Sequence, residues 1–123
     1  MAARILIVED QEDNRRILRD LLTSVGFEIV EALTGEEGVR LAEDSRPDLI
    51  LMDIQLPGLD GYDATRRIKA NPALRAIPVI VVTSYALSGD DLKAFAAGCD
   101  AYVAKPFSPR ALLAKIREFV PSP

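Results

Sequence analysis

Five short apolar runs alternate with helical patterns along the 123 residues, and this alternation limits the possible folds more than any other feature. The runs lie at residues 4–8, 28–32, 48–52, 78–83 and 101–104. Apolar residues at helical spacing follow each of them. Parallel strands need such helices as crossovers, and these crossovers are right-handed. The sequence therefore predicts an α/β domain, a doubly wound five-stranded parallel sheet with helices on both faces.

Residues that favour helix caps mark several helix ends. Thr34 with Glu37 three residues later forms a capping box, and Asp60 is a plausible N-cap. Ser108 followed by Pro109 opens the last helix. We expect the second strand to lie at an edge of the sheet because it is more polar than the others.

Two helices carry distinctive surface patterns. In the first helix, Ile17, Leu18, Leu21, Leu22 and Val25 recur at helical spacing. The other side carries Arg15, Arg16 and Arg19, for which a solvated face is favoured over an acidic partner. Along the short fourth helix, Leu92, Phe95 and Ala96 recur at positions i, i+3 and i+4.

Composition excludes several function classes. Fifteen Lys and Arg against 19 Asp and Glu give a net charge of −4, which argues against a general nucleic-acid binder. No apolar run approaches the ~20 residues of a membrane helix. The single cysteine, Cys99, excludes an internal disulfide and fits a reducing cytoplasm. The absence of histidine excludes Ser-His-Asp catalysis, His-ligated zinc and a phosphohistidine on this chain.

Polar residues follow four of the predicted strands. Glu9 and Asp10 follow the first, Asp53 the third, and Lys105 the fifth, while Thr83 ends the fourth. Functional residues of such sheets lie beyond the carboxyl ends of the strands. If the first strand lies between the second and third, the three acids converge in one small volume.

Converging carboxylates repel each other by up to ~4 kcal/mol per pair near a protein surface. Either one of them stays protonated or a cation is present, and an all-oxygen site of this kind suits Mg²⁺. Lys105 adds a fixed positive charge and Thr83 a hydroxyl donor. This set suits phosphoryl transfer onto a carboxylate, and we expect Asp53 to be the nucleophile because it ends a rigid central strand.

Each of these residues also has an ordinary structural interpretation. A single acid after a strand is more often a helix cap or a solvated loop residue than a nucleophile. Thr83 alone would be an ordinary strand residue, and Lys105 alone a surface charge. Their joint placement at one edge of the predicted sheet favours the functional interpretation.

The chain resembles the receiver domains of two-component response regulators over essentially its whole length. The resemblance rests on ILIVED at 5–10, PDLILMD at 47–53, LPGLDG at 56–61, VTS at 82–84 and AKPF at 104–107. It implies a flavodoxin-like sheet of order 2-1-3-4-5. The segment MDIQLP at 52–57 is more similar to receivers of cell-cycle regulators and hybrid kinases than to chemotaxis receivers.

The resemblance also implies roles for individual residues. Asp53 would accept the phosphoryl group in a Mg²⁺-dependent step. Glu9 and Asp10 match the acidic pair, and Asp10 and Asp53 would bind Mg²⁺ together with the backbone carbonyl of Gln55. Thr83 and Lys105 would contact the phosphoryl oxygens.

Further expectations concern the switch. Tyr102 matches the aromatic residue that turns inward when Thr83 moves, and the Lys105-Pro106 peptide bond is expected to be cis. Gln55 and Tyr85 lie where family members tune the lifetime of the acyl phosphate. Bulky Tyr85 is hypothesised to shield that group from water, with small Ser84 leaving room beside it.

For function, the resemblance implies a cytoplasmic signalling protein, not an enzyme beyond its own phosphorylation and dephosphorylation chemistry. A histidine kinase or phosphotransfer protein would donate the phosphoryl group. A downstream effector protein would be bound through the fourth helix, fifth strand and fifth helix, including Asp90, Lys93, Tyr102 and Arg110. Neither nucleic acid nor membrane is expected as a partner, and residues 1–123 would form one stand-alone receiver.

Three other interpretations remain open. The chain could be a receiver from a hybrid histidine kinase. A flavin- or nucleotide-binding module of the same fold is disfavoured because the acidic residues at 9–13 would repel a phosphate. A phosphorylation-independent pseudo-receiver is disfavoured because every position with a chemical role is filled.

Overall fold

The computed structural model describes residues 2–83 and 90–120. Its strands are β1 (Arg4–Val8), β2 (Glu28–Ala32), β3 (Leu49–Asp53), β4 (Val79–Thr83) and β5 (Ala101–Ala104). Its helices are α1 (Glu12–Ser24), α2 (Gly35–Ser45), α3 (Gly61–Ala70), α4 (Asp90–Ala96) and α5 (Pro109–Arg117). The strands form one parallel sheet in the order β2-β1-β3-β4-β5, which confirms the predicted fold and the edge position of β2.

Successive side chains of the central strands point to opposite faces of the sheet, and each face has its own apolar core. One core packs against α2, α3 and α4, and includes Leu6, Ile50, Val81, Ala42, Ile68 and Ala94. The other packs against α1 and α5, and includes Ile7, Leu51, Ile80, Leu22, Leu112 and Ile116. Because both faces are covered, β3 and β4 are buried along their whole length.

The predicted caps are present. The hydroxyl of Thr34 accepts a hydrogen bond from the backbone N–H of Glu37, and the Glu37 carboxylate accepts one from the N–H of Leu33. Asp60 and Ser108 cap α3 and α5 with their side-chain oxygens. These caps satisfy backbone donors that have no partner inside the helix.

The prediction that Arg15 lies on a solvated face of α1 was wrong. Arg15 is only 7% exposed, whereas Ile17 is 59% exposed. Arg15 can be buried because its guanidinium donates hydrogen bonds to the backbone carbonyls of Glu9 and Asp10. A buried charge is tolerated when it is paired and hydrogen-bonded in this way.

The apolar stripe of α4 faces outward, contrary to the usual expectation for such a pattern. Leu92 is 71% exposed and Phe95 is 50% exposed, whereas Ala94 and Ala97 are buried. Small alanine side chains bring this short helix close to the sheet, so the bulky residues on its other sides stay in solvent. No helix in the described part of the chain is long and apolar enough to cross a membrane.

Candidate functional site

The acidic residues lie at the carboxyl ends of two neighbouring strands. Val8 of β1 is in register with Met52 of β3, so Glu9 and Asp53 are the next residues along adjacent strands. The N–H of Glu9 donates to the carbonyl of Ala32 at 3.0 Å, which ties the end of β1 to the end of β2. The inner positions of β1 and β3 in the sheet therefore hold the backbone of Glu9 and Asp53 in place.

The next two strands complete the same edge. Asp53 is in register with Val82, and Thr83 with Ala104. Lys105 follows directly, and its N–H donates to the carbonyl of Thr83 at 2.7 Å. The sheet thus brings all five residues predicted at the strand ends to one rim.

Three carboxylates form the centre of this rim. One oxygen from each of Glu9, Asp10 and Asp53 lies within 4.8 Å of the others. Glu9 and Asp53 are buried, at 2% and 8% exposed, while Asp10 is half-buried. A cluster of hard oxygen donors with one open side fits the ligand preference of Mg²⁺, which binds one or two carboxylates and keeps several waters.

Lys105 reaches into the acidic cluster from β5. Its Nζ lies 3.0 Å from Oε1 of Glu9 and 4.0 Å from Oδ1 of Asp53. The Lys105-Pro106 peptide bond is cis, as expected. The ammonium group therefore stands between the two buried acids and partly offsets their charge.

The ionisation of the acids reflects this crowding. Burial, together with hydrogen bonding to Glu9 and its charge, raises the pKa of Asp53 to about 7. Burial also disfavours the charge on Glu9, but hydrogen bonds to Asp53 and Lys105 and the charge of Lys105 outweigh it and lower the pKa of Glu9. Desolvation and the proximity of Glu9 raise the pKa of Asp10. The two buried acids are therefore shifted in opposite directions, so Asp53 takes up a proton more readily than Glu9.

The remaining predicted residues have different environments. Thr83 is fully buried at the end of β4. Gln55 is exposed, and its backbone N–H donates to the Asp53 carboxylate.

Tyr102, the predicted switch residue, is half-buried and packs at the edge of the core that α2, α3 and α4 cover. Lys93 and Arg110 are exposed. Ser84 and Tyr85 lie outside the described residues, as does the side chain of Asp90.

Gly61 is a supporting residue whose role the sequence analysis missed. Its N–H donates to the carbonyl of Ile54, and a β-carbon at this position would lie 2.1 Å from the carbonyl oxygen of Asp53. The absence of a side chain lets α3 start directly against the end of β3. A glycine immediately after the N-cap Asp60, where a better helix former is expected, was the available signal.

An apolar groove adjoins the acidic rim. It has a volume of about 540 Å³ and lies between α1 and the loop that leads from β5 to α5. Its lining includes Ile17, Leu21, Lys105, Pro106 and Phe107. Lys105 borders both the groove and the carboxylates.

Comparison with known proteins agrees with this geometry. The model of the response regulator receiver domain family matches residues 5–117. The polar-differentiation response regulator DivK of Brucella anthropi is 42% identical over 120 residues, with 98% of each chain covered.

Solved structures show the same fold. A putative response regulator from Chloroflexus aurantiacus superposes with a TM-score of 0.93 at 29% identity, covering 97% of this chain and 98% of that one. The receiver domain of the sensor histidine kinase PA1611 from Pseudomonas aeruginosa gives a TM-score of 0.91 at 39% identity, covering 99% and 100%. That structure has a magnesium ion coordinated in its active-site cleft.

Proposed function

Because the chain belongs to the response regulator receiver domains of two-component signalling, we propose that Asp53 accepts a phosphoryl group from a histidine kinase or a histidine phosphotransfer protein. Residues 1–123 would act as one receiver domain, in the cytoplasm where such donors work. The observation that carries the proposal is the convergence of three carboxylates and Lys105 at one rim of the sheet.

In the proposed step, a carboxylate oxygen of Asp53 forms a bond to phosphorus while the bond from phosphorus to the donor's histidine nitrogen breaks. The electron pair of the broken bond leaves with the imidazole. Asp53 must be ionised to attack, so its proton is lost before the transfer. The rigid end of β3 holds the attacking oxygen in place, which favours the in-line geometry of phosphoryl transfer.

Glu9, Asp10, Asp53 and the backbone carbonyl of Gln55 would hold Mg²⁺, whose charge offsets that of the carboxylates and the phosphoryl oxygens. Lys105 would bind a phosphoryl oxygen, exchanging part of its contact with Glu9 for the new anion. Thr83, at the adjacent strand end, would donate its hydroxyl to another oxygen. These residues stabilise charge and position, which is most of what phosphoryl transfer requires.

The phosphodonor would approach along the apolar groove between α1 and the β5–α5 loop. Lys105 lines this groove and also contacts the acids of the acceptor site, and Ile17 is an exposed residue of the same lining. Together with Leu21 and Phe107, Ile17 lines a contiguous apolar surface, and such surfaces rimmed by polar residues mark protein contact sites. A helix of a kinase or phosphotransfer protein that packs here would carry its histidine to Asp53.

The signal would leave through α4, β5 and α5. The phosphoryl group would add about −1.5 to −2 charge at the rim, and new contacts to Thr83 and Lys105 would favour one position of these two side chains. Tyr102 would follow this change, and an effector protein would bind the surface that includes Lys93 and Arg110. The exposed Leu92 and Phe95 on α4 support protein binding at this surface.

The test is incubation with acetyl phosphate and Mg²⁺, followed by intact mass measurement. The wild type should gain one phosphate, and Asp53→Asn should gain none. Asp44→Asn, which changes an exposed carboxyl group on α2, should behave as the wild type. Lys105→Met should slow the reaction. No gain by the wild type with acetyl phosphate or any histidine donor would contradict the proposal.

A receiver that forms part of a hybrid histidine kinase is the second candidate. It is supported by the 39% identity to the receiver domain of a sensor histidine kinase. Both candidates assign the same chemistry to Asp53, so the mass experiment does not separate them. The size of the protein detected in its native cells, with an antibody against this domain, does.

A further inference from the structure

Arg15 is a buried arginine on the first turn of α1, directly beneath the loop that carries Glu9 and Asp10. Its Nη1 atom donates to the carbonyl of Glu9 at 3.0 Å and to that of Asp10 at 3.1 Å. Its charge is balanced by Glu12 at 3.3 Å and by Glu31 at 3.4 Å. One guanidinium group therefore joins the loop after β1, the start of α1 and strand β2.

The hydrogen bonds of this loop continue from Arg15 to the Glu9 carboxylate. In a trans peptide the C=O and the N–H point in opposite directions. The carbonyl of Asp10 is held by Arg15, and the N–H of the same peptide group, which belongs to Gln11, donates to Oε2 of Glu9 at 3.2 Å. Arg15 thus fixes the orientation of the peptide plane that holds one oxygen of Glu9.

The other oxygen of Glu9, Oε1, accepts a hydrogen bond from Lys105 at 3.0 Å. Both oxygens of this buried carboxylate therefore accept a hydrogen bond. Loss of the hydrogen bonds from Arg15 would free the Asp10–Gln11 peptide to rotate. Of the hydrogen bonds from Gln11 and Lys105, Glu9 would then keep only the one from Lys105.

We infer that Arg15 is a positioning residue for divalent-cation binding, acting through the Asp10–Gln11 peptide to hold Glu9 and Asp10 in the geometry that the ion requires. This inference rests on the proposed function, in which the acidic cluster holds Mg²⁺. Residues that orient metal ligands without touching the metal typically change its affinity 10- to 100-fold when they are replaced.

Electrostatics alone predicts the opposite result. Arg15 carries a positive charge close to the site, so its removal would strengthen the binding of a cation. Positioning predicts weaker binding. The sign of the change in affinity therefore distinguishes a positioning residue from one that contributes only charge.

The experiment is a titration of the whole chain with MgCl₂, followed by amide chemical shifts in ¹⁵N–¹H spectra. We expect Arg15→Met to weaken Mg²⁺ binding at least about tenfold. Arg15→Lys keeps the charge but replaces the planar fork by a single nitrogen, and should weaken binding by about threefold or more. The amide signal of Gln11 should shift in both variants before Mg²⁺ is added.

Arg16→Met is the matched control, because Arg16 is the next residue of α1 and its side chain is 59% exposed. It removes the same charge from the same turn, and its affinity for Mg²⁺ should be unchanged or slightly higher. Circular dichroism checks that each variant is folded. If Arg15→Met does not fold, Arg15→Lys decides the question.

Affinity equal to or higher than that of the wild type in the folded Arg15 variants would overturn the inference and leave the proposed function intact. Failure of the wild type itself to bind Mg²⁺ would overturn both.

Discussion

Replacement of Asp53 by asparagine should stabilise the metal-free protein at neutral pH. The change removes one negative charge from a cluster in which three carboxylate oxygens lie within 4.8 Å of each other. Asparagine has nearly the same shape as aspartate, and its amide can still donate a hydrogen bond to Glu9. The main effect is therefore electrostatic.

The structure gives the magnitude and the sign. Asp53 has its pKa raised from 3.8 to about 7 by burial and by Glu9. Three pKa units correspond to at most about 4 kcal/mol, and partial access of solvent to the carboxyl group reduces the expected effect to about 1–3 kcal/mol. The folded state holds the proton more tightly than the unfolded state. The penalty on folding is therefore absent below about pH 4, grows between pH 4 and 7, and is complete above pH 7.

The assay is urea unfolding in EDTA at pH 5 and pH 8, followed by circular dichroism. The advantage of Asp53→Asn over the wild type should be about 1–3 kcal/mol at pH 8 and about a third of that at pH 5. Asp44→Asn, which changes an exposed carboxyl group on α2, is the matched control and should give no comparable gain in stability at pH 8. The reasoning is refuted if Asp53→Asn is no more stable than the wild type at pH 8, or if its advantage does not depend on pH.

Three other predictions follow from the packing. Gly61→Ala should lower the free energy of unfolding in urea by about 1–3 kcal/mol and reduce phosphate uptake from acetyl phosphate, because a β-carbon there would meet the backbone of Asp53. An unchanged free energy of unfolding and unchanged uptake would contradict this. Burial and Asp100 raise the pKa of the Cys99 thiol to about 11, so iodoacetamide at pH 8 should modify the folded chain at least about tenfold more slowly than the urea-unfolded chain. Ile17→Asp should leave unfolding and acetyl phosphate reactivity unchanged but slow transfer from a histidine donor protein; equal transfer rates would exclude the groove as the donor surface.

The α/β alternation and the acidic strand ends could be predicted because they depend on local patterns. Buried parallel strands need continuous apolar runs, which the sequence displays at β3 and β4. The caps at Thr34, Asp60 and Ser108 follow from side chains that satisfy backbone donors only a few residues away. The meeting of Asp53 with Lys105 could also be predicted, because parallel strands all end at the same edge.

Apolar spacing gave wrong predictions of burial on helices that the rest of the protein covers only partly. Ile17 and Phe95 lie at apolar helical positions but are exposed, since the surface that a helix buries depends on which neighbours reach it. Ala94 makes the core contact of α4 instead. Periodicity reports where apolar residues cluster on a helix, but it does not report how much of that cluster the sheet covers.

By itself, the sequence determined the five strand–helix units and placed the acids, Thr83 and Lys105 at one rim, because strand direction and local propensity are properties of short segments. Only the tertiary structure decided that Arg15 is buried beneath the acidic loop and that its hydrogen bonds lead to Glu9. It also decided that the pKa of Asp53 is raised while that of Glu9 is lowered. The burial of Arg15 depends on how α1 packs against β1 and β2. The different pKa values of Asp53 and Glu9 depend on distances between groups that are far apart along the chain, and on the exclusion of water from the space between them.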